Sequence, residues 1–276
     1  MKFECCSDLI RIPSNSTRRS YIMKSALGAH CDDFYISSQL SLKLDLSLER
    51  ETVLHFFDRI RKEYPSMKRF RRRDDSALIL EDSDPDVHDS QPKRWIRLEP
   101  GSMRFGYFAP PASALSRRFA QLILEQAPYH LTLTDLDVDY LEVVYGFDLE
   151  YTGNHDQLIA ETLFSDHPLS AFTLADEAVH AIDCQPCLGI ALTPTCDTQA
   201  YLELKSRTST FEVRTGEYEE QVLSVYLTVR HYWGFDEPTE LAQAYDRLSD
   251  LANDLATRRV VPLVVNPLAL AIASRR

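Results

Sequence analysis

From residue 33 onward the order of apolar and polar positions changes character several times, and each change marks an element. Leu40, Leu42, Leu44 and Leu46 alternate with Ser41, Lys43 and Asp45, which predicts a half-buried strand over residues 33–46. Ser47 then offers a helix N-cap, and Val53, Leu54, Phe56, Phe57, Ile60 and Tyr64 recur at helical spacing until Pro65 stops the run. Four short strands are predicted at 67–73, 76–81, 93–99 and 103–108. They are separated by Asp74-Asp75, by an acidic loop over 82–92, and by Pro100-Gly101-Ser102. Pro110-Pro111 opens a helix with Leu115, Phe119, Leu122 and Ile123 on one face, expected to stop before Pro128.

The same order then begins again. Residues 137–151 read as a long strand, and Asn154 caps a helix carrying Leu158, Ile159, Thr162 and Leu163. After an irregular stretch, strands are predicted at 187–193, 199–205, 208–214 and 221–233. A last helix is expected from about Pro238 to Arg259, with Leu241, Tyr245, Leu248, Leu251 and Leu255 as its buried stripe. Asp236, Glu237 and Glu240 at its start and Arg258 and Arg259 at its end suit the helix dipole. The fold class is therefore α+β, as two tandem β-α-β(4)-α units with helices on one face of antiparallel sheet. The expected organisation is a leader (1–32), a first unit (33–130), a second unit (131–259) and a docked C-terminal segment (260–276). This element order resembles the TATA-binding-protein-like fold, which implies a curved antiparallel sheet with helices on one side. No residue role is carried over from that resemblance.

Strand parity sorts the side chains between the two faces. With Phe70, Ile96 and Leu98 turned to the core, Arg69, Arg71, Arg73, Trp95 and Arg97 take the opposite face. Met103, Phe105 and Tyr107 inward leave Arg104 outward. In the second half, Glu203, Lys205, Arg207, Glu212, Arg214, Tyr226 and Arg230 are turned outward by the same rule. Guanidinium forks grip carboxylates and phosphates, and Trp and Tyr supply stacking area. The alternative is a solvated face of cross-strand Glu–Arg pairs.

Charge sharpens this picture. The chain of 276 residues carries a formal net charge of -12, which argues against a general polyanion binder. The charge is uneven: residues 1–130 hold 21 basic against 18 acidic side chains, and residues 131–276 hold 9 against 24. Cysteines 5, 6, 31, 184, 187 and 196 occur without an apolar leader core, so reduced thiols and a cytoplasmic location are expected. The most apolar run, 260–273, is interrupted by Pro262 and Pro267, so no membrane span is expected.

Candidate chemistry is sparse. His180, Cys184, Cys187 and Cys196 count as four soft ligands at spacings a structural zinc can use, or as ordinary core cysteines. Asp135, Asp137 and Asp139 place three carboxylates on one face of a strand entry, as metal-dependent phosphoryl chemistry uses, or simply keep that end wet. Glu203, Lys205, Arg207, Glu212 and Arg214 line a polyphosphate tunnel only if the sheet closes into a barrel. With 8 glycines, no phosphate loop or dinucleotide fingerprint can be drawn, and no cofactor is expected. The reading that follows is a non-enzymatic binding or regulatory protein. Its partner is anionic: an acidic peptide, a phosphate-bearing ligand or nucleic acid. The binding face comprises Arg69, Arg71, Arg73, Trp95, Arg97, Arg104, Lys205, Arg207, Arg214, Tyr226 and Arg230. The alternatives are a metal-dependent phosphohydrolase or polyphosphate-acting enzyme, and a self-associating scaffold subunit.

Overall fold

The computed structural model describes residues 26–73, 76–82, 93–174, 176, 179–234 and 240–275. The leader up to residue 22, the Asp74-Asp75 turn, most of the acidic 82–92 loop, and Asp236, Glu237 and Pro238 lie outside the described residues. The chain forms β1 (Asp33–Leu42), α1 (Arg50–Glu63), β2 (Arg69–Arg72), β3 (Leu78–Glu81), β4 (Lys93–Glu99), β5 (Ser102–Phe108) and α2 (Ser113–Leu131). It continues with β6 (Val138–Thr152), α3 (His155–Leu163), α4 (Ser170–Thr173), β7 (Cys187–Ala191), β8 (Thr198–Lys205), α5 (Thr210–Thr215), β9 (Glu220–Tyr232), α6 (Leu241–Leu255) and α7 (Asn266–Arg275). The part of the expected leader at Ala26–His30 is a 3-10 turn, and Cys31 after it is buried in the core.

All nine strands belong to one antiparallel sheet in the order β2-β3-β4-β5-β1-β6-β9-β8-β7. β1 and β6 sit side by side, in register from Asp33↔Asp148 to Leu40↔Leu141. Each is flanked by the last strand of its own half, β5 or β9. One parity of every long strand enters the core: Phe34, Ile36 and Leu40 on β1, Met103 and Phe105 on β5, Leu141, Val143, Tyr145 and Phe147 on β6, and Leu223, Val225, Leu227 and Val229 on β9. The helices bury matching stripes against this layer, Val53, Phe56, Phe57 and Ile60 on α1 and Leu241, Ala244, Tyr245 and Leu248 on α6. Tyr245 is fully buried, and its hydroxyl bonds Ser38 on β1.

Several expectations need correction. The strand expected over 33–46 ends at Leu42, because the chain turns away there and leaves Leu44 exposed. Phe70 is turned to the helix side and packs edge-on to Phe57, yet it is 47% exposed because β2 is the outermost strand. The strand expected over 208–214 is the short helix α5. Its Ser209 side chain accepts from the Glu212 N–H while the Glu212 carboxylate accepts from the Ser209 N–H, a reciprocal cap that overrides the weak alternation. The second half therefore has three strands after α3. α2 runs through Pro128 to Leu131, and ends where Thr132 adopts a left-handed φ of 54° and donates to Pro128 O.

The last helix does not stop at Arg259. Residues Ala256–Val265 continue it with wider π-type turns, so that Asn266 N–H bonds Val261 O, and α7 follows without a break. Pro262 is carried inside this stretch. The resulting helix Leu241–Arg275 is, by length and composition, long and apolar enough to cross a bilayer, and a third of its most apolar window is buried in the molecule.

On the sheet face away from the helices, three aromatic rings lie over glycines directly opposite them on the next strand: Tyr35 over Gly146, Trp95 over Gly106 and Tyr201 over Gly189. A Cβ built at Gly146 stands 2.3 Å from two Tyr35 ring carbons, so only glycine admits the ring there. Tyr35 has little room to retreat, being stacked on Phe108 at 5.9 Å and edge-on to Tyr226 at 6.5 Å. Gly146→Ala is expected to destabilise the protein by about 1–3 kcal/mol. Urea unfolding measures this, and adding Tyr35→Leu to Gly146→Ala should recover part of the loss.

Candidate functional site

Because the sheet twists and the pleat alternates, the face without helices carries rows of side chains running across the strands. One row follows Arg71, Ile79, Arg97, Arg104, Gln39, Glu142, Arg230 and Gln199. Its neighbour holds Glu81, Trp95, Gly106, Ser37, Val144, Thr228, Tyr201 and Gly189. Of the residues predicted for this face, the register places Arg69, Arg71, Trp95, Arg97, Arg104, Lys205, Tyr226 and Arg230 on it. Three fall elsewhere. Arg73 lies past the end of β2, where its N–H bonds Ala77 O. Arg207 follows β8 and reaches back to the sheet, and Arg214 sits on α5 with its guanidinium over the Phe211 ring.

Among the described residues, the first-half arginines on this face converge in pairs on carboxylates. Arg69 and Arg71 both approach Glu81, at 3.4 and 2.9 Å. Arg97 and Arg104 both approach Glu99, at 2.5 and 3.7 Å, and stand directly opposite each other on β4 and β5. The Arg104 Nε, sealed from solvent, is the atom that faces Glu99, and at 3.7 Å the contact is an ion pair too long to be a hydrogen bond.

Arg230 is differently placed. It donates from Nη2 and Nε to Glu142 at 2.6 and 2.8 Å and from Nη1 to the Tyr232 hydroxyl at 3.1 Å. Its guanidinium carbon lies 4.2 Å from the Tyr140 ring centre and 5.8 Å from that of Tyr232. Burial opposes its charge, but the Glu142 carboxylate and the Tyr232 hydroxyl more than offset this and hold its pKa above the usual guanidinium value. Glu142 is 2% exposed. This arginine is thus an internal tie between β6 and β9, already saturated by the protein itself.

A second cluster, which parity alone does not reveal, surrounds Asp148. Ser224, opposite it on β9, bonds the carboxyl and accepts from Arg207 Nη1 at 3.0 Å. The Asp148 Oδ1 is covered and makes no hydrogen bond. Burial lifts the Asp148 pKa to about 6; Asp33 and Asp32 add to the rise, and Ser224 and Arg207 oppose it. Burial, Asp148 and Tyr226 together push the neighbouring Tyr35 well above the ordinary phenol value. The start of α3 positions Arg207: His155 N–H bonds Thr208 Oγ1 at 2.9 Å, and Asp156 Oδ2 accepts from Ser206 Oγ at 2.7 Å. Asp156 Oδ1 also accepts from Cys184 N–H at 2.8 Å. The one sequence sign of this anchor is the Asn154 cap, which accepts from Asp156 N–H and Gln157 N–H as expected.

The candidate metal ligands do not assemble. Among the described residues no three His, Cys, Asp or Glu side chains converge, because His180 and Cys196 are exposed on separate loops while Cys184 is held at α3. Asp137 caps its own turn, accepting from Thr134 N–H and Oγ1, and these bonds pull its pKa down. The sheet is open and linear in strand order, so Glu203, Lys205 and Arg207 line no tunnel. Lys205 pairs with Glu203 on its own strand at 3.2 Å, and Glu212 is spent on the α5 cap.

Two substitutions separate these roles. Arg230→Met strands Glu142 as a buried unpaired carboxylate and should cost about 3–5 kcal/mol in urea unfolding, with much of that recovered by adding Glu142→Gln. For Asp148, a raised folded pKa means the native state holds the proton longer than the unfolded chain. Its contribution is therefore best below pH 4 and is lost as pH rises through about 6, by up to roughly 3 kcal/mol. Asp148→Asn should flatten that fall in an unfolding series from pH 4 to pH 7; an unchanged slope would refute the assignment. No family model and no curated protein matches the chain.

Proposed function

We propose that this protein is a non-enzymatic binding or regulatory protein that holds an anionic partner on the first-half end of its open sheet face. One observation carries the reading: four guanidiniums gather at this end of the face, Arg69 and Arg71 converging on Glu81 and Arg97 and Arg104 converging on Glu99. These six groups sum to a positive charge on a chain whose net charge is -12. An incoming carboxylate or phosphate gains charge-assisted hydrogen bonds there without displacing an apolar layer. Trp95, held flat over Gly106 beside this row, adds a ring face for stacking. The acidic remainder of the surface repels polyanions elsewhere, which favours a localised partner over coating by a long polymer. The partner class is an acidic peptide, a phosphate-bearing ligand or a nucleic acid.

Anisotropy titrations with three labelled probes test this: a polyglutamate peptide, a short polyphosphate and a single-stranded oligonucleotide. At least one should bind, with affinity falling as salt rises. Arg71→Glu plus Arg97→Glu should weaken that binding by about tenfold or more. Binding of none of the three, or equal binding by the double variant, would overturn the proposal.

A further inference from the structure

The two ends of the nine-strand sheet differ. β2 ends it on one side, with Arg69, Arg71 and Arg72 along four residues. β7 ends it on the other, and no described strand or helix pairs with its outer edge. β7 reads Cys187-Leu188-Gly189-Ile190-Ala191, without a charge, a proline or a bulge in its register with β8. Leu188 and Ile190 are 62% and 46% exposed, and they point to the same side as Ala200, Leu202 and Leu204, where the core runs out of helical cover. Edge strands are ordinarily guarded by charge, proline or a covering element. Among the described residues β2 is guarded in this way and β7 is not.

We infer that β7 is a self-association edge, pairing antiparallel with β7 of a second copy to join two sheets. Charge selects the occupant. β2 against β2 would set guanidiniums against guanidiniums. β2 against β7 would press Arg69 and Arg71 onto an apolar edge and draw them from Glu81. β7 against β7 opposes no charges. The strand is also self-complementary: a twofold axis through Gly189 sets Leu188 opposite Ile190 of the second copy, and the reverse, on the helix side. On the other side the Tyr201 ring, lying over Gly189, roofs the joint in each copy. A closed twofold contact of this kind ends at the dimer and does not grow into a filament. Five residues of edge bury less than the roughly 1,200 Å² of a standard interface, so the dimer is weak and concentration-dependent.

Sedimentation velocity from about 5 to about 500 µM tests this, with a dissociation constant expected between roughly 10 and 100 µM. The wild type should shift from monomer to dimer across that range. Leu188→Lys with Ile190→Lys should remain monomeric while keeping the wild-type circular dichroism and urea midpoint, since both side chains are exposed. Arg71→Glu, at the opposite edge, should dimerise as the wild type does. A wild type that stays monomeric throughout, a dimer that survives the two lysines, or a dimer lost in Arg71→Glu would each overturn the inference.

Discussion

Everything in this molecule is referred to the pairing of β1 with β6. These two strands meet over ten residues at the middle of the sheet, and their register decides which side chains of both halves look toward the helices. A slip of one residue would send Phe34, Ile36 and Leu40 to the open face and bring Tyr35, Ser37 and Gln39 inward. The small and ring-bearing partners on the open side make such a slip costly from that side as well, since Tyr35 fits only where Gly146 stands opposite. The hydrophobic layer and the ring-over-glycine layer thus fix the same register independently.

That double constraint explains why the open face is not a plain solvated surface. Ser37, Val144, Ser224 and Thr228 lie there and are nonetheless buried, because rings and guanidiniums lie down across them. Within this thin second layer the arginines divide by role. Arg230 is enclosed by tyrosines and neutralised by Glu142, and so serves cohesion. Arg69, Arg71, Arg97 and Arg104 lie on β2, β4 and β5, the first two converging on Glu81 and the last two on Glu99. Residues of one type and one parity therefore do different work according to what stands opposite them, Glu142 for Arg230 and Arg97 for Arg104.

Much of this was legible from the chain alone. Alternation located all nine described strands to within four residues, and parity placed Arg71, Trp95, Arg97, Arg104 and Arg230 on the face away from the helices. What escaped was whatever depends on partners distant in sequence. No local pattern pairs Gly106 with Trp95 or Asp148 with Ser224, because both follow from register between strands. Where local signals conflicted, the more specific one won: Ser209-x-x-Glu212 is a helix-start signature inside a stretch that also alternates, and the helix formed. The prolines misled because Pro128 and Pro262 are accommodated inside helices, the first within the last turn and the second within widened turns.

Those widened turns also set the angular phase of the chain's end. Ala256, Val260, Val264, Leu268 and Ile272 are all buried and fall at strict four-residue intervals. On a regular α-helix each such interval overshoots a full turn by about 40°, so four of them would carry the apolar line nearly half-way round the axis. Bonding to the fifth residue back over Ala256–Val265 takes up part of that excess, as a vernier does, and keeps the line in the core. One residue inserted or removed between Ala256 and Val265 would rotate α7 bodily, swing Leu268 and Ile272 toward water, and part Arg275 from its ion pair with Glu161 on α3.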